Sequence, residues 1–137
     1  MIRPAYEADL DDLVELENVT FNYSQISKRR FRNYIRSASC WMMVATKRGR
    51  IVGNIILKFK GTTAHIETII GGGYGRKLLA EADFAARDYG SARMTVECKI
   101  SNFRAAHFYL KAGFKQTGRI PAYYEDGCGC FTFEKTL

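Results

Sequence analysis

Six residues, Gly71-Gly72-Gly73-Tyr74-Gly75-Arg76, separate a β-branched stretch, His65 to Ile70, from an apolar-periodic stretch, Leu78 to Tyr89. Hydrophobic period changes across them from that of a strand to that of a helix, so the chain must run strand, tight turn, helix here. Glycine tolerates φ > 0 and lets a ligand approach the backbone. The unpaired N–H groups and partial positive charge at a helix start favour an anion. Two readings of Gly71 to Arg76 follow: a phosphate cradle, or a turn made of glycine for steric reasons only. Two familiar phosphate motifs are excluded by spacing. A dinucleotide fingerprint needs Gly where Arg76 stands, and a Walker loop needs Gly-Lys-Ser/Thr where Tyr74-Gly75-Arg76 sits.

The flanking segments give the element order. Ile2 to Ala5 reads as a short strand, and Glu7 to Val19 as a helix with Leu10, Leu13, Val14 and Leu16 at helical spacing and acids in its first turns. Ser27 is a candidate N-cap for a second helix ending at Ile35 or Arg36, with Phe31, Tyr34 and Ile35 as its apolar side; Thr20 to Ser24 is a polar-aromatic loop between the two. Trp41–Thr46, Ile51–Lys60 and Thr62–Ile70 read as an antiparallel meander turning at Lys47 to Arg50 and at Gly61. The helix after the glycines places Leu78, Ala82, Ala85 and Tyr89 on one stripe and closes at Gly90. Arg93 to Cys98 is a buried strand, Asn102 opens a helix to Gly113, and Phe114–Gly118 and Cys130–Lys135 are the last strands. The order β-α-α-β-β-β-α-β-α-β-β predicts an α/β (α+β) fold: a mixed, mostly antiparallel central sheet flanked by helices on both faces, with the glycine-led helix as a crossover between parallel neighbours.

A chain of 137 residues fits one domain, residues 1–137, with no repeat or linker. No stretch approaches the length of a membrane span and no secretory leader is evident at Met1-Ile2-Arg3-Pro4, so the expectation is the cytoplasm and no membrane partner. Cys40, Cys98, Cys128 and Cys130 form no C-x-x-C pair, and His65 and His107 are far apart in sequence, which argues against a metal site. Cys128 and Cys130 share a strand face about 7 Å apart, too far for an ordinary disulfide, so free thiols are expected. The net charge of +7 suits phosphate-bearing partners in general; the basic run at Lys28-Arg29-Arg30, Arg32 and Arg36 is equally a solvated helix face.

Three local patterns and the element order together resemble the GNAT superfamily of acetyl-CoA dependent N-acetyltransferases over nearly the whole chain. Ile2-Arg3-Pro4-Ala5 with Asp9-Leu10-Asp11-Asp12 resembles the family's first strand and helix, and Gly71, Gly73 and Gly75 with Arg76-Lys77-Leu78-Leu79 its pyrophosphate loop and following helix. Asn102, Ala105, Tyr109, Gly113 and Phe114 fall on its N-x-x-A-x-x-x-Y-x-x-x-G-F signature, the most specific match. Leu16-Glu17 through Phe21, Ser27 to Arg32, and Tyr123-Tyr124-Glu125-Asp126-Gly127 are similar to segments of the ribosomal-protein-alanine (RimI-type) group. The chain departs from the family in one place. Ile70 stands where the loop's Arg or Gln belongs, and the segment before the glycines is shorter by several residues.

The resemblance implies roles. Acetyl-CoA is the acyl donor, without a metal, held by Ile69, Ile70, Gly71, Gly72, Gly73, Tyr74, Gly75 and Arg76 and by Asn102 and Ala105. Main-chain amides near Ile69 and Ile70 polarise the thioester if the family's strand splay is present. Glu97 is the candidate base with Glu67 in reserve, and Tyr109 is the candidate acid. Phe21, Glu67 and Tyr124 face the acceptor. Asn102 is also a natural N-cap, and Tyr109 by periodicity alone is core. His65 and His107 read as packed in apolar settings. The acceptor expected is a protein or peptide N-terminus, a ribosomal protein among the candidates. An α-amino group, with a reference pKa of about 8, needs less help to deprotonate than a lysine at about 10.4. The alternatives are a small-amine (polyamine or aminosugar) acetyltransferase, and a non-catalytic coenzyme- or nucleic-acid-binding module whose trimmed loop weakens the coenzyme site. Nucleic acid is the less favoured partner, and the oligomeric state is open.

Overall fold

The computed structural model describes residues 1–21 and 25–137; Asn22, Tyr23 and Ser24, inside the expected polar-aromatic loop, lie outside the described residues. In chain order the elements are β1 (Ile2–Pro4), a short 3-10 turn (Glu7–Asp9), α1 (Leu10–Thr20), α2 (Lys28–Arg36), β2 (Cys40–Lys47), β3 (Arg50–Lys60), β4 (Thr63–Ile70), α3 (Gly75–Tyr89), β5 (Arg93–Lys99), α4 (Phe103–Lys111), β6 (Lys115–Ile120) and β7 (Cys130–Thr136). This is the order that the periodicity predicts. The strands form a seven-stranded sheet in the order β1-β2-β3-β4-β5-β7-β6. All neighbours are antiparallel except β4 and β5, which the α3 crossover makes parallel.

Local chemistry sets the helix boundaries. Ser27 Oγ accepts the Arg30 main-chain N–H and starts α2, and Asn102 Oδ1 accepts the Ala105 N–H and starts α4. Gly90, at φ 97°, closes α3 in the left-handed conformation. The first helix differs from expectation at its start, where Glu7–Asp9 is a 3-10 turn. There Asp9 turns back to accept the Tyr6 N–H at 2.8 Å and to pair both its oxygens with Arg3, at 2.8 and 2.9 Å, so the strand end and the helix start are clamped together.

Each sheet face buries its own core. On one side Ile55, Leu57, Ile66, Met94, Val96 and Phe133 meet Leu78, Leu79, Ala82 and Ala86 of α3 and Tyr109 of α4. On the other, Met42, Val44 and Ile56 meet Leu10 and Leu13 of α1 and Phe31 of α2. The α3 stripe is rotated from the one expected: Leu79 and Ala86 are buried with Leu78 and Ala82, Ala85 is half-buried and Tyr89 is exposed. Alanines at 82 and 86 let the helix close on the sheet, which leaves the large Tyr89 ring at the rim, stacked on Phe59 with centroids 3.9 Å apart. Among the described residues no helix is long and apolar enough to cross a membrane.

One core position conflicts with its surroundings. Asn54 on β3 lies opposite Val44 and Ile70, is 1% exposed, and has no hydrogen-bond partner among the described residues for either polar atom of its amide. A buried unsatisfied amide costs about 1–3 kcal/mol, and valine suits a strand interior. Asn54→Val is therefore expected to raise the thermal midpoint, by about 2–4 °C per kcal/mol gained. A lowered midpoint in a calorimetric scan would show that the amide is satisfied or that the site cannot take the added volume.

Candidate active site

The pairing of β4 with β5 runs from Thr63↔Arg93 to Ile66↔Val96 and stops. Beyond that point Thr68 to Ile70 continue with β3, while Glu97 to Lys99 continue with β7. The two parallel strands thus separate midway along the sheet. A bulge drives the separation on the β4 side: Ile56 faces Thr68 and Leu57 faces Ile66, so Glu67 is the extra residue. A bulge bends its strand and re-aims the extra side chain. The splay that sequence could not establish is present, and it opens a cleft of about 280 Å³.

Most of the sequence-derived candidates meet in this cleft. Glu97, Tyr109, Asn102, Ala105, Ile69, Glu67, Phe21 and Tyr124 all line it. Ile70 and Gly71 to Arg76 do not; they form the end of β4, the turn and the first residues of α3. Tyr109 is nearly buried and is held edge-on by Phe108 and Phe114, at centroid distances of 5.5 and 5.6 Å, a core residue that also lines the cleft. Asn102 spends its side-chain oxygen on the α4 cap while lining the cleft.

His65 corrects the apolar-packing expectation. It lines the cleft, its Nε2 lies 2.8 Å from Glu97 Oε2, and its Nδ1 lies 2.6 Å from Thr95 Oγ1. The register His65↔Thr95 places the imidazole within reach of Glu97, the residue after Val96, at the point where the strands part. His107, also expected to be packed, is exposed on α4. The hydrogen bond from His65 holds the Glu97 carboxyl below its ordinary value, outweighing burial, which acts in the opposite direction. Burial by itself would lower His65, but the Glu97 hydrogen bond and charge, aided by Glu67, raise it overall.

The direction of each shift fixes the pH window of this pair. His65, raised in the fold, contributes stability below the ordinary imidazole value and loses it as pH rises through its folded value; Glu97, lowered, contributes above the ordinary carboxylate value and loses it as pH falls through its folded value. The pair therefore works best between the two ordinary values, on the acid side of neutrality.

Two further groups hold the walls. Arg30 Nη2 donates to Tyr34 Oη at 2.9 Å, and Tyr34 Oη reaches Glu67 Oε2 at 3.4 Å, so α2 braces the bulge residue of β4. Periodicity had assigned Tyr34 only to the apolar side of its helix. Lys99, buried at the end of β5, pairs with Asp126 and lies 5.6 Å from the Tyr124 ring centroid, which ties the β6–β7 connection to the cleft. Glu17 of α1, not singled out as a site residue by sequence, also lines the cleft. Its signal was present: position 17 lies seven residues from Leu10 and four from Leu13, on the buried stripe.

The glycine turn divides its duties. A Cβ on Gly72, at φ 56°, would stand 1.9 Å from the Val52 carbonyl oxygen, and one on Gly75 would stand 3.3 Å from the Phe108 ring. Gly72 is glycine for steric reasons, and at Gly75 the Phe108 ring would have to give by a few tenths of an ångström. Gly73, at φ 90°, has open space where its Cβ would be. The Tyr74 N–H bonds back to the Gly71 carbonyl and the Leu78 N–H to the Tyr74 carbonyl, leaving the Gly75, Arg76 and Lys77 N–H groups as the free donors of a helix start, with two exposed cationic side chains among them. That donor set fits a diphosphate even with Ile70 in place of the family's Arg or Gln.

The sequence profile of the acetyltransferase (GNAT) domain family matches residues 9–137. The chain belongs to this family. It is a GNAT-type N-acetyltransferase, of a family that uses acetyl-CoA. An uncharacterized N-acetyltransferase of Methanocaldococcus jannaschii is 28% identical over 134 residues, covering 93% of this chain and 85% of that protein. The fold is similar to that of Ard1 from Thermoplasma volcanium, with a TM-score of 0.91 at 23% identity, covering 100% of this chain and 97% of the other. It is also similar to the ribosomal-protein-S18-alanine N-acetyltransferase from Escherichia coli, with a TM-score of 0.89 at 20% identity, covering 100% and 93%.

In this GNAT domain, removing the imidazole should release the Glu97 carboxyl from its depression while burial continues to raise it. His65→Gln is thus expected to move the Glu97 titration midpoint upward, read by carboxyl-carbon NMR. An unmoved midpoint would mean that the 2.8 Å pair does not persist in solution.

Proposed function

We propose that the chain transfers the acetyl group of acetyl-CoA directly to the α-amino group of a protein N-terminus. The observation that carries this reading is the splay of β4 from β5, which puts an ionised carboxylate, Glu97, and a nearly buried phenol, Tyr109, on one cleft that also reaches α1, α2 and the β6–β7 connection. A donor entering past α3 and α4 and an acceptor entering past α1 and Tyr124 would meet there. The likeness in fold to a ribosomal-protein-alanine enzyme supports an N-terminal acceptor.

Acetyl-CoA supplies an acetyl group already activated as a thioester. The Gly75, Arg76 and Lys77 amides hold its diphosphate, and Gly71 to Tyr74 form the turn that presents them. Asn102 and Ala105 flank its pantetheine arm, and main-chain groups at Ile69 and Ile70, left without a β5 partner by the splay, polarise the thioester carbonyl. Glu97 takes the proton of the attacking amine, and His65 beside it keeps the carboxylate ionised and oriented. Tyr109 Oη gives a proton to the departing thiolate. Glu67, Phe21 and Tyr124 position the acceptor. No covalent enzyme intermediate is needed, and the one cysteine on the cleft is unsuited to form one: burial, with the neighbouring Cys130, pushes the Cys98 thiol up to about 11, so it stays protonated.

Two experiments test this reading. With acetyl-CoA and a panel of N-terminal peptides beside polyamines and aminosugars, mass spectrometry is expected to find acetyl on the peptide α-amino group; acetylation of the small amines alone would replace the acceptor class, and RNA binding without turnover would replace the enzyme reading for this cleft. Tyr109→Phe is expected to lower kcat by about a hundredfold or more, the scale of a lost general acid, while leaving the affinity for acetyl-CoA in place. Unchanged kcat would remove Tyr109 from the acid role.

A further inference from the structure

Glu17 is a buried carboxyl at the edge of the cleft. It sits on the buried stripe of α1 with Leu10 and Leu13, is 1% exposed, and its Oε2 has no hydrogen-bond partner among the described residues. Burial pushes its carboxyl up to about 7; the Ile26 main-chain N–H and the Arg30 charge oppose the shift without cancelling it. What the fold gains is one hydrogen bond, to the Ile26 main-chain N–H, and the second carboxyl oxygen adds nothing to it in a place where an apolar side chain would join the core of Leu10, Leu13, Ile26 and Phe31. A buried acceptor atom left unfilled costs about 1–3 kcal/mol, so its presence calls for a use.

Its position supplies one. Glu17 lines the same cleft as Glu97 and Tyr109, on the side formed by α1 and α2 with Phe21, Ile26 and Arg30, away from the α3 and α4 elements that flank the donor. The charged groups that share this cleft are Arg30 on α2, His65 and Glu67 on β4, and Glu97 and Lys99 on β5. Lys99 is committed to Asp126, His65 to Glu97, and Arg30 and Glu67 are joined through Tyr34. Glu17 thus brings to the α1–α2 side of the cleft a buried carboxyl oxygen that has no hydrogen-bond partner among the described residues.

We propose that Glu17 is a positioning residue for the acceptor, its open oxygen receiving an N–H of the incoming amine or of the amide that follows it, so that the amine is presented to Glu97. This rests on the acceptor entering from the α1–α2 side, as in the function proposed above. It gives the cleft two carboxylates with separate duties: Glu97 takes the proton, and Glu17 orients the group that loses it. An acceptor rich in N–H donors at its reactive end, as an N-terminal peptide is, satisfies an oxygen that the free protein leaves unfilled.

The test compares Glu17→Leu and Glu17→Gln with the wild type on whichever members of the peptide and small-amine panels the wild type acetylates, together with calorimetry of acetyl-CoA binding and a thermal scan. The expected result is a rise in acceptor KM of about tenfold or more for Glu17→Leu, a smaller rise for Glu17→Gln because it keeps an acceptor oxygen, kcat little changed, acetyl-CoA affinity unchanged and stability unchanged or higher. Unchanged acceptor KM in both variants, with raised stability, would overturn the role of Glu17 and leave the proposed function standing. Turnover of small amines alone, with their KM raised in Glu17→Leu, would overturn the peptide reading and leave Glu17 in place. A wild type that acetylates neither panel overturns both.

Discussion

Everything at the cleft follows from four paired positions. β4 and β5 are joined only from Thr63↔Arg93 to Ile66↔Val96, and after that each strand is claimed by its other neighbour. A parallel ladder that ended later would bring Glu97 and Glu67 into adjacent strand positions and close the space between Ile69 and Cys98 that the cleft occupies. The bulge at Glu67 and the antiparallel hold of β7 on Glu97 to Lys99 keep the strands apart without any ligand. Cores on both faces of the sheet fix that geometry, so His65, Glu67, Glu97 and Tyr109 stand on rigid elements, while Phe21 and Tyr124 reach the cleft from connections.

The electrostatics of the cleft are uneven by construction. Glu97 is kept ionised by a histidine; Glu17, only one helix away, is pushed toward neutrality by burial. Two carboxyls of one cleft whose environments drive their pKa values apart are the arrangement by which a fold assigns different tasks to the same side chain. The walls are held by the Lys99–Asp126 ion pair and by a hydrogen-bond relay from Arg30 through Tyr34 to Glu67, which connect the β6–β7 segment and α2 to the two strands that separate.

Sequence made the local features legible and left the non-local ones dark. Ser27 and Asn102 are caps because of their own side chains, Gly90 closes α3 through its own φ, and the strand-glycine-helix order is written in adjacent residues. The family signature likewise placed Asn102, Ala105 and Tyr109, which do line one cleft. The His65–Glu97 pair was invisible because it needs the register of two strands separated by a whole helix. Glu17 was missed because an acid on a helix reads as solvated, although its spacing from Leu10 and Leu13 placed it on the inward stripe. Within the glycine run the demands differ by position, Gly72 answering to the close approach of Val52 and Gly73 to a left-handed backbone in open space.

The account turns on the splay as the place where the acyl donor lies, and calorimetric titration of acetyl-CoA into the purified chain tests that most directly, with an Ala105→Trp variant as the comparison because Ala105 lines the cleft. One acetyl-CoA bound per chain, with binding lost in a variant that still folds, is the predicted result. A titration without heat at several temperatures, or binding indifferent to the blocked cleft, would contradict it.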